Sequence, residues 1–220
     1  MSKVSVILTA AGIGRRMQSS LPKQFMLVND KPVLMYTIER FYQYDPKMEL
    51  ILTLPREWLS YWESIMSEYD FHIPHRIVEG GKERYNSIKN ALHFCSGDIV
   101  AVHDGVRPLV SHETIKTCIQ AAQSSGAAVP VVAISESIRC LEGNASKAVN
   151  RANYKVVQTP QCFQREVLQK AYEQDHHEGI TDDASLAEAA GQEIELVEGN
   201  VENIKITTQS DLKYAGLFLK

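Results

Sequence analysis

Up to about residue 133 the chain alternates short β-rich apolar runs with stretches of helical spacing, and this alternation most limits what it can fold into. The runs are Val4 to Leu8, Leu50 to Leu52, Arg76 to Val78, Ile99 to Val102 and Ala127 to Val132. Between them, helical patterns start at about Pro32, where a proline suits the first turn, and run over about 57–69, 83–95 and 112–124. Such a pattern predicts an α/β fold with a mostly parallel twisted sheet and helices on both faces. In open sheets of this kind ligands sit beyond the carboxyl ends of the strands, where Gly12, Gly80, Gly81 and Asp104 would emerge together. The alternation fails over about 135–157, which reads as an antiparallel excursion, a β-arm. Helices at about 166–173 and 183–190, strands at about 193–197 and 203–207, and a last helix from about Ser210 complete the expectation. No internal repeat or long linker divides residues 1–220, so one domain is expected.

Composition narrows the partners. With 27 acidic and 23 basic residues the formal net charge is -4, which argues against nucleic acid or an anionic membrane as partner. No apolar run approaches the roughly 20 residues of a membrane span, and the apolar start is too short for a signal-peptide core. Cys95, Cys118, Cys140 and Cys162 form no C-x-x-C pair, so neither a zinc cluster nor a dithiol redox motif is written. Free thiols fit a reducing, cytoplasmic setting. A domain this long buries roughly 70% of its unfolded surface and needs no metal staple, so any metal should serve chemistry.

The most informative segment runs from Leu8 through Ala10, Ala11, Gly12, Gly14, Arg15 and Arg16 to Met17, followed by Pro22-Lys23. Small residues let backbone N–H groups cradle phosphate oxygens, and Arg16 and Lys23 add positive charge suited to a polyphosphate. Neither of two better-known phosphate loops is present. The dinucleotide fingerprint would need Gly or Ala where Met17 stands, and Gly81-Lys82 is followed by Glu83, not Ser or Thr. Asp104, after the strand ending at His103 and before Gly105, suits magnesium or another divalent cation, which needs only one or two carboxylates besides phosphate oxygens. An Asp-Gly turn residue is the plainer alternative. Gly80 and Gly81 can bring backbone groups to a base edge, and Ser87 offers a hydroxyl or is simply a helix-surface serine. His176-His177 lacks a third ligand, Trp58, Tyr61 and Trp62 read as packing or interface residues, and Cys162 has no nearby His to activate it.

Taken together, these segments resemble the nucleotidyltransferases, and more closely the 2-C-methyl-D-erythritol 4-phosphate cytidylyltransferases of non-mevalonate isoprenoid biosynthesis. The likeness covers nearly the whole chain: Gly80-Gly81 with Arg84 and Ser87, His103 to Pro108, Gln158 to Gln161, Thr181 to Ser185, and Val197-Glu198-Gly199 with Asn203-Ile204-Lys205. It implies a three-layer Rossmann-like nucleotidyltransferase fold. It further implies that Arg16 and Lys23 hold the CTP triphosphate and neutralise the transition state at the α-phosphorus. Lys205 would meet substrate or nucleotide phosphate, Asp104 would lie beside metal and substrate, Arg107 would contact the methylerythritol phosphate, and Thr159 the polyol. By the same resemblance the arm interlocks two subunits of a homodimer, carrying Arg151 into the partner's site, where Thr181 of the same partner-derived wall also approaches the substrate phosphate. Two other functions stay open on the residues: a ribitol 5-phosphate cytidylyltransferase, and a non-catalytic nucleotide-binding regulator, against which Arg16, Lys23, Asp104 and Lys205 together speak.

Overall fold

The first apolar run forms β1 (Val4–Thr9), which lies inside an eight-stranded sheet with a parallel neighbour on each side. The computed structural model describes residues 2–12, 21–174 and 179–219. A two-stranded ribbon, β2 (Leu27–Val28) and β3 (Lys31–Pro32), leads into α1 (Val33–Tyr44). Next come β4 (Glu49–Leu54), α2 (Leu59–Glu68), β5 (Arg76–Glu79), α3 (Arg84–Leu92), β6 (Ile99–Asp104), α4 (His112–Ser125) and β7 (Ala127–Ala133). An exposed hairpin follows, β8 (Arg139–Glu142) with β9 (Ala145–Ala148). Then come β10 (Lys155–Val157), β11 (Gln161–Gln164), α5 (Arg165–Ala171), α6 (Asp183–Ala189), β12 (Glu195–Glu198) and α7 (Gln209–Gly216).

The sheet runs β5-β4-β1-β6-β11-β7. β5, β4, β1 and β6 are mutually parallel, while β11 is antiparallel to both β6 and β7. Ala128 pairs both Cys162 and Glu195, and Val131 pairs both Val157 and Glu198, so β11 and β10 share one edge of β7 and β12 takes the other.

Buried strands with period-two side chains explain the layers. Val6 and Leu8, Leu50, Leu52 and Leu54, and Ile99 and Ala101 pack with Leu34, Ile38, Phe41, Trp62 and Ile115 of α1, α2 and α4. The intervening Ile7, Ile51, Val100 and Val102 pack with Ile88, Leu92, Leu168 and Leu186 of α3, α5 and α6. The helices thus cover both faces, giving the three-layer architecture.

Two expectations need correction. Residues 203–207 are not a strand; the segment is tied down by the Ile206 N–H to the carbonyl of Val106 and by burial of Ile206. The excursion expected over 135–157 is a hairpin only over 139–148, and its last three residues return to the sheet as β10. His176 and His177 lie outside the described residues.

Candidate active site

The parallel strands end on one side of the sheet, and their following loops close on each other. Ala10, just past β1, donates its N–H to the carbonyl of Thr53 at 3.1 Å and accepts at 2.6 Å from the Gln24 amide. Gly80, just past β5, donates to the carbonyl of Leu54 at 2.7 Å. A Cβ on Gly80 would stand 2.7 Å from that of Ala11, so glycine here permits the two loops to touch. A cleft of about 400 Å³ opens between them, lined among others by Ala10, Ala11, Gly12, Lys23, Gly81, Ser87, Asp104 and Lys205.

The start of α3 is built into this cleft. Glu83 and Asn86 form a reciprocal cap, and the Ser87 hydroxyl donates to the Glu83 carbonyl and accepts from the Gly81 N–H, both at 3.0 Å. Ser87 is buried, not a surface serine, and fixes the Gly81 backbone.

Asp104 ends β6 with its carboxylate mostly buried. Its Oδ2 lies 3.0 Å from Arg107 Nε and 3.1 Å from Lys205 Nζ. Burial pushes this carboxyl up, but the opposing charges of Lys205, Arg107 and Arg84 hold it well below the usual carboxylate range. It is a fixed anion at neutral pH. Both ion pairs fall on Oδ2. One carboxylate in the lining of a cleft of about 400 Å³ fits a hard cation that keeps most of its waters, and no cluster of three or more His, Cys, Asp and Glu exists among the described residues.

Behind Asp104, the fully buried His103 ring contacts the Arg107 carbonyl through Nε2 at 3.1 Å and the Thr159 hydroxyl through Nδ1 at 2.9 Å. Burial pushes its pKa down to about 4, so the ring is neutral. Thr159 also accepts the Asp104 N–H at 3.2 Å, and Asn203 holds the Thr159 carbonyl while its own carbonyl accepts from Arg107. Arg107 is thus not among the residues lining the cleft; it braces Asp104 from the side.

Thr181 lines a separate pocket of about 50 Å³ together with Arg84, Tyr85 and Tyr172. Arg84 belongs to both walls, held at 2.6 Å to the buried Asp183, whose other oxygen accepts from Tyr172 at 2.6 Å. Arg151 is exposed beside the arm, its guanidinium donating to the Ser135 carbonyl, away from the cleft of its own chain. Gly14 and Arg16 lie outside the described residues. Residue type alone assigns no role to Gln24, and His103, Asp183 and Arg84 enter only inside the patterns His103 to Pro108, Thr181 to Ser185 and Gly80-Gly81 with Arg84, because their partners are distant in sequence.

Residues 4–220 match the family profile IspD: 2-C-methyl-D-erythritol 4-phosphate cytidylyltransferase. The chain belongs to the IspD family. The 2-C-methyl-D-erythritol 4-phosphate cytidylyltransferase of Phocaeicola vulgatus is 47% identical over 215 residues, 97% of this chain and 98% of that protein. The Bacteroides fragilis protein of the same name is 47% identical over 216 residues, 98% of this chain and 99% of its own. Among solved structures, the Thermus thermophilus enzyme of that name superposes with a TM-score of 0.81 at 33% identity, covering 98% of both chains. IspD membership places the chain among the nucleotidyltransferases and agrees with the α/β architecture above.

Proposed function

We propose that the chain transfers the cytidylyl group of CTP to 2-C-methyl-D-erythritol 4-phosphate, releasing pyrophosphate and CDP-methylerythritol for isoprenoid precursor synthesis. The observation that carries this reading is the convergence of Lys23, Lys205 and the anionic Asp104 on one cleft whose other wall is the Gly81–Ser87 backbone reader.

A phosphate oxygen of the acceptor attacks the α-phosphorus, that P–O bond forms in line with the one that breaks, and pyrophosphate departs with the electron pair. The attacking phosphate is already ionised near neutral pH, so positioning and charge carry the catalysis. Lys23, with Arg16, holds the triphosphate and offsets charge gathering at the α-phosphorus. Lys205 orients a phosphate at the floor of the cleft, steadied by Asp104. Gly81 and Ser87 read the cytosine edge, with Ala10, Ala11, Gly12, Gly14 and Gly80 forming the surrounding backbone. Arg107 and Thr159 shape the acceptor side, behind Asp104. Magnesium or another divalent cation, held by Asp104, would supply charge neutralisation to the triphosphate oxygens.

The active form is a homodimer in which the arm brings Arg151 to the partner's acceptor phosphate near Thr181. The outward position of Arg151 and the exposed hairpin support this. Light scattering that finds only monomers overturns it. A cytoplasmic setting accords with four unpaired cysteines, and no helix among the described residues is long and apolar enough to cross a membrane.

Pyrophosphate release measured with CTP, magnesium and either methylerythritol 4-phosphate or ribitol 5-phosphate tests the reaction. Clear preference for methylerythritol phosphate is expected. Preference for ribitol phosphate overturns the acceptor, and CTP binding with no pyrophosphate from either acceptor makes the chain a regulator.

A further inference from the structure

Lys23 opens a single 3₁₀ turn, Lys23–Phe25, closed by the Phe25 N–H to the Pro22 carbonyl at 2.9 Å and the Met26 N–H to the Lys23 carbonyl at 3.2 Å. A turn this short has little rigidity of its own. The two residues after Lys23 anchor it from opposite sides. Phe25 is buried, its ring centroid 5.1 Å from that of Tyr61, 5.6 Å from Trp58 and 6.2 Å from Trp62. Gln24 is equally buried, lines the cleft beside Lys23, and donates its amide to the Ala10 carbonyl at 2.6 Å. A carbonyl only accepts, so the amide nitrogen must face it and the orientation of Gln24 is settled. Ala10 in turn is held through its N–H by the end of β4.

From this geometry we infer that Gln24 is a positioning residue for the transfer reaction: its amide ties the Lys23 turn to the Ala10–Gly12 loop and so sets where the Lys23 ammonium stands over the nucleotide. The inference rests on the role proposed for Lys23. The bond couples the backbone that would cradle phosphate to the cation that would neutralise it, across 14 residues of sequence. Displacing a reacting or stabilising group by about 1 Å costs on the order of a hundredfold in rate.

The test compares wild type, Gln24→Met, Lys23→Ala and the double variant in pyrophosphate release over a range of CTP concentrations at saturating acceptor. Gln24→Met keeps the bulk and removes the donor; it should lower kcat about ten- to hundredfold with the KM for CTP changed less than about threefold. In the Lys23→Ala background the same substitution should cost nothing further, because the group it positions is gone. Gln24→Glu supplies a second reading should Gln24→Met fold poorly. Its carboxylate can only accept, so the bond to the Ala10 carbonyl is lost here too and kcat should fall as in Gln24→Met. Wild-type kcat in Gln24→Met or in Gln24→Glu, or losses that multiply in the double variant, overturns the inference. An unimpaired Lys23→Ala enzyme instead sinks the role of Lys23 itself, a separate and recognisable failure.

Discussion

His103 accepts a 2.9 Å hydrogen bond from the hydroxyl of Thr159. The direction follows from the other ring nitrogen: Nε2 faces the Arg107 carbonyl, which cannot donate, so Nε2 carries the proton and Nδ1 the lone pair. Thr159 then spends its proton on His103 and its lone pair on the Asp104 N–H, 3.2 Å away. One hydroxyl therefore fixes both the ring and the backbone that presents the site's carboxylate.

Thr159→Val should remove both bonds at nearly constant volume and leave two buried groups unpaired, costing about 1–3 kcal/mol. Thr159→Ser should retain most of that. Urea unfolding of the two variants checks it; equal stability would mean that the hydroxyl does not bridge His103 and Asp104.

The pair Arg84 and Asp183 predicts an asymmetry. Asp183 has no side-chain exposure, whereas Arg84 is 34% exposed and can turn to water. Arg84→Met strands a buried carboxylate whose other partner among the described residues is the Tyr172 hydroxyl, while Asp183→Asn keeps an acceptor for Tyr172 and leaves an arginine able to hydrate. Denaturant titration should show Arg84→Met costing about 3 kcal/mol and Asp183→Asn at least about 1 kcal/mol less. Equal losses would contradict the burial argument.

How much of this was legible follows from the range over which each feature is written. The convergence of Gly12, Gly80, Gly81 and Asp104 is readable because parallel βα units place all strand ends on one edge, and each of these residues stands within four residues of the end of an apolar run. The antiparallel insertion of β11 is not: Gln161-Cys162-Phe163-Gln164 is four residues behind a proline, too short for periodicity to speak. The segment Asn203 to Thr207 alternates like a strand, yet its backbone binds Val106 and its Asn203 side chain binds Thr159, contacts that tertiary packing decides. Ser87 has the residue type of a surface position and the burial of a core one, because its hydroxyl is satisfied by Gly81 and Glu83. Bonds such as Gln24 to Ala10 leave no local spacing signal at all.

His75 gives a pH prediction away from the cleft. Its Nε2 accepts from the Trp62 indole at 3.0 Å and its Nδ1 meets the Ile73 carbonyl at 2.8 Å, so the native ring is neutral. Burial lowers its pKa more than the Ile73 bond raises it. In the unfolded chain a histidine takes a proton near pH 6.5. Below that value the unfolded state binds more protons than the native one, so this stability is complete above about pH 6.5 and is lost as pH falls toward the native pKa. Unfolding followed by tryptophan fluorescence at about pH 7.5 and about pH 5.5 should show a smaller loss for His75→Gln than for wild type. Identical losses would mean that His75 titrates beside Trp62 as it does in the unfolded chain.

The ion pair at the cleft floor makes the last prediction. Lys205 Nζ stands 3.1 Å from Asp104 Oδ2, so each holds the other's position in the lining of the cleft. Lys205→Met should lower kcat/KM for the acceptor by about two to three decades, the size expected for one aligned charged donor. Asp104→Asn should be at least as damaging, since it removes the negative charge that holds both Lys205 and Arg107. Because the two residues act through one contact, the double variant should lose less than the product of the single losses. Steady-state pyrophosphate release with all three proteins decides it. Multiplicative losses would show that Lys205 and Asp104 act on separate parts of the reaction, and the cleft floor would then be two independent sites sharing a wall.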